Sequence, residues 1–129
     1  MTPLEKEESI RKILEEEFHT PLFKTRLAIG TKFNGEVKYH EFDGVSADQK
    51  IVVEIKTNEL KVTPEKPNGR YFSAIKWALL GDIYMLSRVN ASSKYLVLTD
   101  QSLFNICLTD LDGILPENTQ IIFRRIGAK

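Results

Sequence analysis

Three strand-like segments follow one another in the first half of the chain with only short polar links between them, and this run most constrains the fold. A turn is predicted at Gly30, and Asn34-Gly35 is a typical pair for a tight hairpin. The link Ala47-Asp48-Gln49 is also short enough to join neighbouring strands. Strands connected this closely can pair as an antiparallel meander. The predicted strands cover residues 21–29, 37–46 and 50–57.

Helices and strands alternate in the remainder of the prediction. A first helix over residues 3–18 is indicated by a capping-box pattern at Thr2 and Glu5 and by Pro3 at the first helical position. A loop over residues 58–69 follows the third strand. The later elements are a long helix 70–89, a strand 94–99, a short helix 101–111 and a strand 120–126. The order α-β-β-β-α-β-α-β predicts an α/β fold with a mixed sheet flanked by helices.

The long predicted helix carries two stripes at helical spacing. The stripe expected to be buried consists of Phe72, Ile75, Leu79, Ile83 and Leu86. A second stripe lies away from it and consists of Arg70, Trp77, Gly81, Tyr84 and Arg88. Aromatic and arginine residues are enriched at protein interfaces, so this stripe is either a contact surface or a set of amphipathic rings partly covering the sheet. Base stacking on Trp77 is a third interpretation.

Composition narrows the class of protein. A length of 129 residues fits a single domain, residues 1–129. The formal net charge of zero excludes a general coat of positive charge, but it leaves room for a local patch that binds nucleic acid. The polar, acidic start and the lack of a long apolar run predict neither a secretory signal nor a membrane contact. The single cysteine, Cys107, lies among apolar residues and is expected in the core. We therefore expect a cytoplasmic protein.

The segment from His40 to Lys56 carries the candidate chemistry. Residues two apart in a strand share a face, so Glu54 and Lys56 should point the same way, with Ile55 pointing to the other side. Asp43 lies eleven residues before Glu54, on the preceding predicted strand, and can reach the same place if the two strands pair. Two carboxylates with hard oxygen atoms suit Mg²⁺ or Mn²⁺, which can activate a phosphate ester for hydrolysis. The lysine can then neutralise charge that grows on the phosphate.

This pattern resembles the signature of the PD-(D/E)xK nucleases, and the predicted element order is similar to their restriction-endonuclease-like core. The resemblance implies that Asp43, Glu54 and the backbone carbonyl of Ile55 bind the metal, and that Lys56 is the catalytic lysine. Phe42 stands where the family string has proline. The implied activity is metal-dependent hydrolysis of nucleic acid, with DNA as the expected substrate. Small members such as the archaeal Holliday-junction resolvases act as dimers.

A glutamate of the first helix is expected to complete the site. At about 100° per residue, both Glu7 and Glu17 lie towards the apolar stripe. The angle alone favours Glu17, but the order of Glu7, Ile10 and Leu14 resembles the first helix of resolvase-like members. Glu17 also lies at the helix end, where a carboxylate opposes the helix dipole. We therefore predict Glu7.

Other interpretations remain open at this level. Glu54 and Lys56 could form an ordinary ion pair on a solvated strand face, with Asp43 in a turn. His40 is expected on the face opposite Asp43, as a structural or surface residue, and Glu41 as a solvated neighbour or an auxiliary ligand. The chain could also be an interaction module that keeps the nuclease fold without turnover. A third possibility is a nuclease subunit that needs a partner subunit for DNA recognition.

Overall fold

The structure, a computed structural model, describes residues 1–127 and contains one five-stranded sheet with helices on both faces. The strands lie in the order β1-β2-β3-β4-β5. The first three pair antiparallel, whereas β4 is parallel to β3 and β5 is parallel to β4. The predicted mixed sheet flanked by helices is confirmed. The strands are β1 (Phe23–Thr31), β2 (Val37–Val45), β3 (Ile51–Lys56), β4 (Ser93–Leu98) and β5 (Thr119–Phe123).

Helix α1 (Pro3–Phe18) covers one face of the sheet. The predicted capping box is present: the Thr2 hydroxyl accepts from the Glu5 N–H at 3.1 Å, and the Thr2 N–H donates to the Glu5 carboxylate at 2.9 Å. This cap satisfies two N–H groups that the helix itself leaves unpaired. The buried apolar side chains between α1 and the sheet form one cluster: Ile10, Leu14, Leu22, Val53, Ile55 and Val97.

The other face of the sheet packs against α2 (Lys76–Ser87) and α3 (Gln101–Asp110). This larger cluster includes Cys107, which is fully buried as expected for a small core residue. Successive residues of β3 point to opposite faces of the sheet: Val52 belongs to this cluster under α2 and α3, and Val53 belongs to the cluster under α1. The largest fully buried side chains of this face are Phe42, Tyr71, Leu79, Leu86, Leu96, Leu98, Leu103 and Leu111.

The predicted turn at Gly30 is wrong, because β1 continues through this residue to Thr31. Gly30 pairs with Lys38 across the hairpin, next to a shift in register after Ala28. A glycine inside a strand often marks such an irregularity rather than a turn. The chain reverses only afterwards, where Gly35 has a φ of 89°. This left-handed conformation suits glycine, so the turn predicted at Asn34-Gly35 is confirmed.

The predicted long helix begins with a π-helical turn, Tyr71–Ile75, before α2. A π-turn holds more residues than an α-turn, and it changes which side chain points inward. Tyr71 is fully buried and donates to Asp110 at 2.7 Å, whereas Phe72 is half exposed. The prediction that Phe72 is buried is therefore wrong. The other members of that stripe, Ile75, Leu79, Ile83 and Leu86, do face the core.

A loop connects β3 to the π-helical turn, and it is fastened to the start of α3. The Asp100 carboxylate accepts from the Leu103 N–H at 3.0 Å, which caps α3, and from the Leu60 N–H at 3.2 Å. One side chain thus fixes both the helix start and the loop that follows β3. Within residues 1–127, none of the helices combines the length and the apolar character needed to cross a membrane.

Candidate functional site

Strand β3 brings Glu54 and Lys56 to the face of the sheet that α2 covers. Lys56 Nζ lies 3.0 Å from Asp82 Oδ2 of α2, and Val52 of the same strand side is part of the core beneath that helix. The predicted common face of Glu54 and Lys56 follows from strand alternation. Glu54 is only 5% exposed, so its carboxyl is held inside the protein and is not part of a solvated ion pair.

Strands β2 and β3 part where the two predicted carboxylates meet. Their ladder covers only the pairs Gly44–Val53 and Val45–Val52. Beyond it, the Asp43 N–H donates to Glu54 Oε1 at 3.3 Å, and the Ile55 N–H donates to Asp43 Oδ2 at 2.8 Å. Each carboxylate thus accepts from the backbone of the opposite strand. Asp43, Glu54 and the main chain of Ile55 form one cluster.

An irregularity in β2 gives Asp43 this position. Phe23 and Thr25 of β1 are two residues apart, but their partners Val45 and Phe42 are three apart, as at a β-bulge. Such a bulge re-aims side chains and is frequent beside active sites. A Cβ on Gly44 would lie 2.7 Å from Val53 Cγ2, so the two strands approach too closely here for any larger residue.

Helix α1 supplies a second layer of charged groups. Arg11 donates to the Asp43 carbonyl at 3.0 Å and to the Glu7 carboxylate at 3.1 Å, while Lys24 of β1 lies 3.2 Å from the same carboxylate. The Glu7 and Asp43 carboxyls also interact, which lowers the pKa of Glu7 and raises the pKa of Asp43. Glu17 lies elsewhere, since its carboxylate accepts from Arg124 Nε at 2.8 Å. Of the two candidate glutamates, the structure therefore places Glu7 beside Asp43.

Burial controls the charge of the cluster. It raises the pKa of Glu54 to about 9, with further contributions from the negative charges of Asp43 and Asp82. Burial also raises the pKa of Asp43 to about 7; the Ile55 N–H opposes this shift, and Glu7 adds to it. Burial would raise the pKa of Glu7 as well, but hydrogen bonds with Asp43, Lys24 and Arg11 keep it below its usual value. Glu54 therefore keeps its proton at neutral pH, and a bound metal ion would have to displace it.

Two residues of the site were not predicted, His40 and Asp82. His40 packs against Phe42 on the side of the sheet that α2 covers, and its Nε2 lies 3.2 Å from Glu54 Oε2. Its contact with Glu54 was missed because Asp43 and Glu54 were expected to reach the same place, whereas Asp43 interacts with Glu7 on the α1 side and Glu54 faces α2. The signal for Asp82 was present in the sequence, because it is the only acidic residue between Glu65 and Asp100 and it interrupts an apolar helix.

The residues present have the chemistry that a hard divalent cation requires. Asp43, Glu54 and the Ile55 carbonyl offer oxygen atoms, which Mg²⁺ and Mn²⁺ prefer. Asp82 Oδ2 is buried and, among residues 1–127, accepts no hydrogen bond of good geometry despite its contact with Lys56. The described chain nevertheless holds no ready-made group of three or more acidic, histidine or cysteine side chains spaced around one metal position. Binding would therefore require these side chains to turn towards one position; each carboxylate accepts one backbone hydrogen bond and has further lone pairs for an ion.

A cleft of about 420 Å³ begins two residues after Lys56. It lies between the loop that follows β3 and the first turns of the helix that contains Asp82. Its polar lining combines Asn58 and Glu59 with two cations, Lys61 and Arg70, which suit a phosphate-bearing ligand. Comparison of the chain with protein-family models, with curated proteins and with solved structures found no match.

Proposed function

We propose that this chain is a metal-dependent nuclease domain of the PD-(D/E)xK type that hydrolyses phosphodiester bonds, with DNA as the expected substrate. The observation that carries the proposal is the pair of buried carboxylates, Asp43 and Glu54, at the point where β2 and β3 part. A lysine two residues after Glu54 and a helix-borne glutamate beside Asp43 complete the expected set. Buried acidic residues without dedicated cationic partners are costly for stability, so a functional role is the simplest reason to keep them.

The proposed roles follow from the positions of the side chains. Asp43, Glu54 and the Ile55 carbonyl would hold Mg²⁺ or Mn²⁺, which when bound supplies a Lewis acid for the scissile phosphate. Lys56 neutralises charge that develops on the phosphate. Asp82 holds Lys56 at 3.0 Å and keeps it on the side of Glu54. Glu7 is placed to accept a proton or bind a water near Asp43, with Arg11 and Lys24 fixing its carboxylate.

A second candidate is a nucleic-acid or protein interaction module that keeps the nuclease fold without turnover. The observation that favours it is that both carboxylates already accept from backbone N–H groups and that Lys56 is already paired. A nuclease subunit that needs a partner subunit for DNA recognition would share the site of the first candidate. The zero net charge of the chain favours that variant over an enzyme that binds any DNA.

The direct test combines calorimetry with a cleavage assay on the purified chain. Titration with Mn²⁺ should give binding that is lost in Asp43→Ala, and plasmid or duplex DNA should be cut only when Mn²⁺ or Mg²⁺ is present. Binding of Mn²⁺ to the parent that survives Asp43→Ala would place the metal elsewhere. No Mn²⁺ affinity together with no divalent-dependent cleavage of any DNA would favour the interaction module.

Lys56→Ala is expected to reduce cleavage by roughly 10²–10³-fold, the usual loss for one electrostatic contact to a transition state. Mn²⁺ affinity should remain close to that of the parent, because the lysine itself binds no metal. A cleavage assay and Mn²⁺ calorimetry on the same sample separate the two effects. Lys50→Ala is the matched control, since Lys50 is exposed and directly precedes β3 at its other end. Parent-like turnover in Lys56→Ala would remove Lys56 from the proposed mechanism.

Self-association is a further expectation of the proposed function, because two sites related by a two-fold axis can act on both strands of a duplex. Trp77 and Tyr84 on α2 are 63% and 58% exposed and offer a candidate surface. Arg88 of the predicted stripe is exposed but anchored to the hairpin, because its Nε donates to the Ile29 carbonyl at 2.8 Å. Sedimentation should show a dimer that Trp77→Ala combined with Tyr84→Ala weakens by roughly tenfold or more. Leu108→Ala, on the exposed side of α3, is the control, and a parent that stays monomeric at high concentration contradicts the expectation.

A further inference from the structure

We propose that the β1–β2 hairpin is the element with which this chain holds duplex DNA, with Phe33 at its tip placed against the bases in a groove. The inference rests on the proposed function and adds the surface that would bring the substrate to the site. It is carried by four features of the hairpin: its exposure, its charge, its anchoring, and its continuity with the cluster around Asp43.

The end of the hairpin projects from the body of the protein. Every residue from Thr31 to Tyr39 is exposed, and the Phe33 side chain is completely so. A phenylalanine in this position contributes no burial to folding, whereas a large apolar side chain in water is unfavourable. Apolar residues that protrude from a DNA-binding element can contact base edges or enter the base stack. The tip therefore has the shape and chemistry of such a contact.

Basic residues are concentrated on this hairpin, although the chain as a whole is neutral. Residues 23–40 contain four lysine and arginine residues and one acidic residue, Glu36; the other two acidic residues of β2, Glu41 and Asp43, lie at its far end, at the site. Lys32 and Lys38 flank the tip, and the Arg26 guanidinium lies over the Tyr39 ring, 5.1 Å from its centre. Phosphate contacts of lysine and arginine provide most of the affinity of proteins for DNA. The charge of the hairpin is thus complementary to the partner that the site requires.

One face of the hairpin packs on the protein and is called the fixed face, and the other is exposed to solvent and is called the free face. Leu27 and Ile29 pack on the core, and Arg88 of α2 donates to the Ile29 carbonyl at 2.8 Å. On the opposite face, Lys24, Arg26, Ala28, Val37, Tyr39 and Glu41 are all exposed. A two-stranded ribbon fits the major groove of B-DNA, which is about 12 Å wide. A ribbon held rigidly on one side can present the other to a duplex with little loss of entropy.

The free face leads to the Glu7 and Asp43 side of the candidate site. Lys24 Nζ lies 3.2 Å from Glu7 and 3.9 Å from Glu41, and Arg11 donates both to Glu7 at 3.1 Å and to the Asp43 carbonyl at 3.0 Å. From Asp43 to the end of β2 nearest the tip, the strand extends about 20 Å at roughly 3.3 Å per residue. This distance corresponds to about six base pairs of duplex at ~3.4 Å each. One duplex is therefore long enough to contact Phe33 and the Asp43 side of the site at the same time.

The experiment separates binding from cleavage. Affinity for a fluorescein-labelled DNA duplex is measured by fluorescence anisotropy in buffer that contains Ca²⁺, at several salt concentrations. Cleavage of the same duplex is measured separately, in buffer that contains Mn²⁺. Phe33→Ala is expected to weaken binding by about 10-fold or more, as for loss of one stacking contact, while Phe33→Trp retains it. Lys32→Ala combined with Lys38→Ala should lower the slope of log affinity against log salt by about two. Phe72→Ala and Lys12→Ala, exposed aromatic and basic positions outside the hairpin, are the matched controls.

Each result decides between the proposals. Binding that depends on Phe33 and the two lysines, without cleavage by the parent, supports the hairpin and contradicts the nuclease function. Cleavage and binding that are unchanged in all hairpin variants overturn the hairpin proposal and leave the nuclease function in place. Preference for single-stranded over duplex DNA, or no binding by the parent, also overturns it. A loss of self-association in Phe33→Ala, with DNA affinity intact, would assign the tip to a second copy of the chain.

Discussion

Glu54→Gln is expected to abolish metal binding and metal-dependent cleavage, with a loss of at least roughly 10³-fold in rate, while the fold remains intact. Because burial and neighbouring charges raise the pKa of Glu54 to about 9, this carboxyl carries a proton at neutral pH when no metal is present. Glutamine matches the shape of that neutral form and can still accept from the Asp43 N–H. It cannot become the anion that a divalent cation needs.

Three measurements check this expectation on one preparation: Mn²⁺ calorimetry, DNA cleavage, and thermal unfolding in a chelator. The variant should unfold at the same temperature as the parent or higher, because a buried acid that resists ionisation is replaced by a neutral group. Glu41→Gln is the matched control, since Glu41 lies on β2 near the site but is exposed. Parent-like cleavage by Glu54→Gln would exclude Glu54 as a metal ligand. A variant that fails to fold would show that the carboxyl is structural, and Asp43→Asn would then test the site.

The free energy of unfolding of the metal-free protein is expected to fall as the pH rises from about 5 to about 9. A group whose pKa is higher in the folded state than in the unfolded state binds more protons when folded, and its stabilising protonation is lost as pH rises through the folded value. The contribution of Glu54 to the free energy of unfolding falls as the pH rises from its ordinary pKa of 4.5 to its raised pKa of about 9. The contribution of Asp43 falls in the same way between pH 3.8 and about 7. The contribution of Glu7 to the free energy of unfolding has the opposite pH dependence, because the pKa of Glu7 is lowered in the folded state. That contribution is lost only as the solution becomes acidic.

Urea denaturation at a series of pH values measures this dependence. One proton bound in excess by the folded state gives a slope of about 1.4 kcal/mol per pH unit, so the total change should reach a few kcal/mol. Glu54→Gln should remove the larger part of the slope, and Asp48→Asn, at an exposed carboxylate, should not. Mn²⁺ should reverse the trend, because metal binding releases the protons and tightens as pH rises. A parent protein with constant stability between pH 5 and 9 would contradict the buried, protonated cluster.

The elements of the fold could be predicted because their patterns are local. The capping pattern of Thr2 and Glu5 predicts where α1 begins, and the pair Asn34-Gly35 predicts where the chain turns between β1 and β2. The errors have a common physical cause. In each case one extra residue in a helix or strand shifts which of the following side chains point towards the core. The π-helical turn brings Tyr71 inside in place of Phe72, and the register shift near Gly30 keeps a glycine within a strand. Propensity and periodicity describe regular elements and do not contain such insertions.

The site was predictable to the extent that strand alternation determines it. The spacing of Glu54 and Lys56 fixes their common face, and helical angles limited the α1 candidates to two. The contact of His40 with Glu54 was not predictable, because it depends on how β2 and β3 separate beyond their short ladder, which is a tertiary feature. Asp82 was missed because its role depends on how α2 packs across β3, which is a tertiary contact. The raised pKa values likewise depend on burial and neighbours that only the folded chain provides.

The pairing of β3 has a consequence for the order in which the protein is made. All six residues of β3 pair with β4, whereas only Val52 and Val53 pair with β2. Because β4 begins at Ser93, a chain still emerging from the ribosome has released the candidate catalytic residues well before the strand that supports them. Contacts between distant segments form late, since the intervening loop must first be closed. Under the proposed nuclease function, a nascent chain would thus remain inactive until its second half has left the exit tunnel.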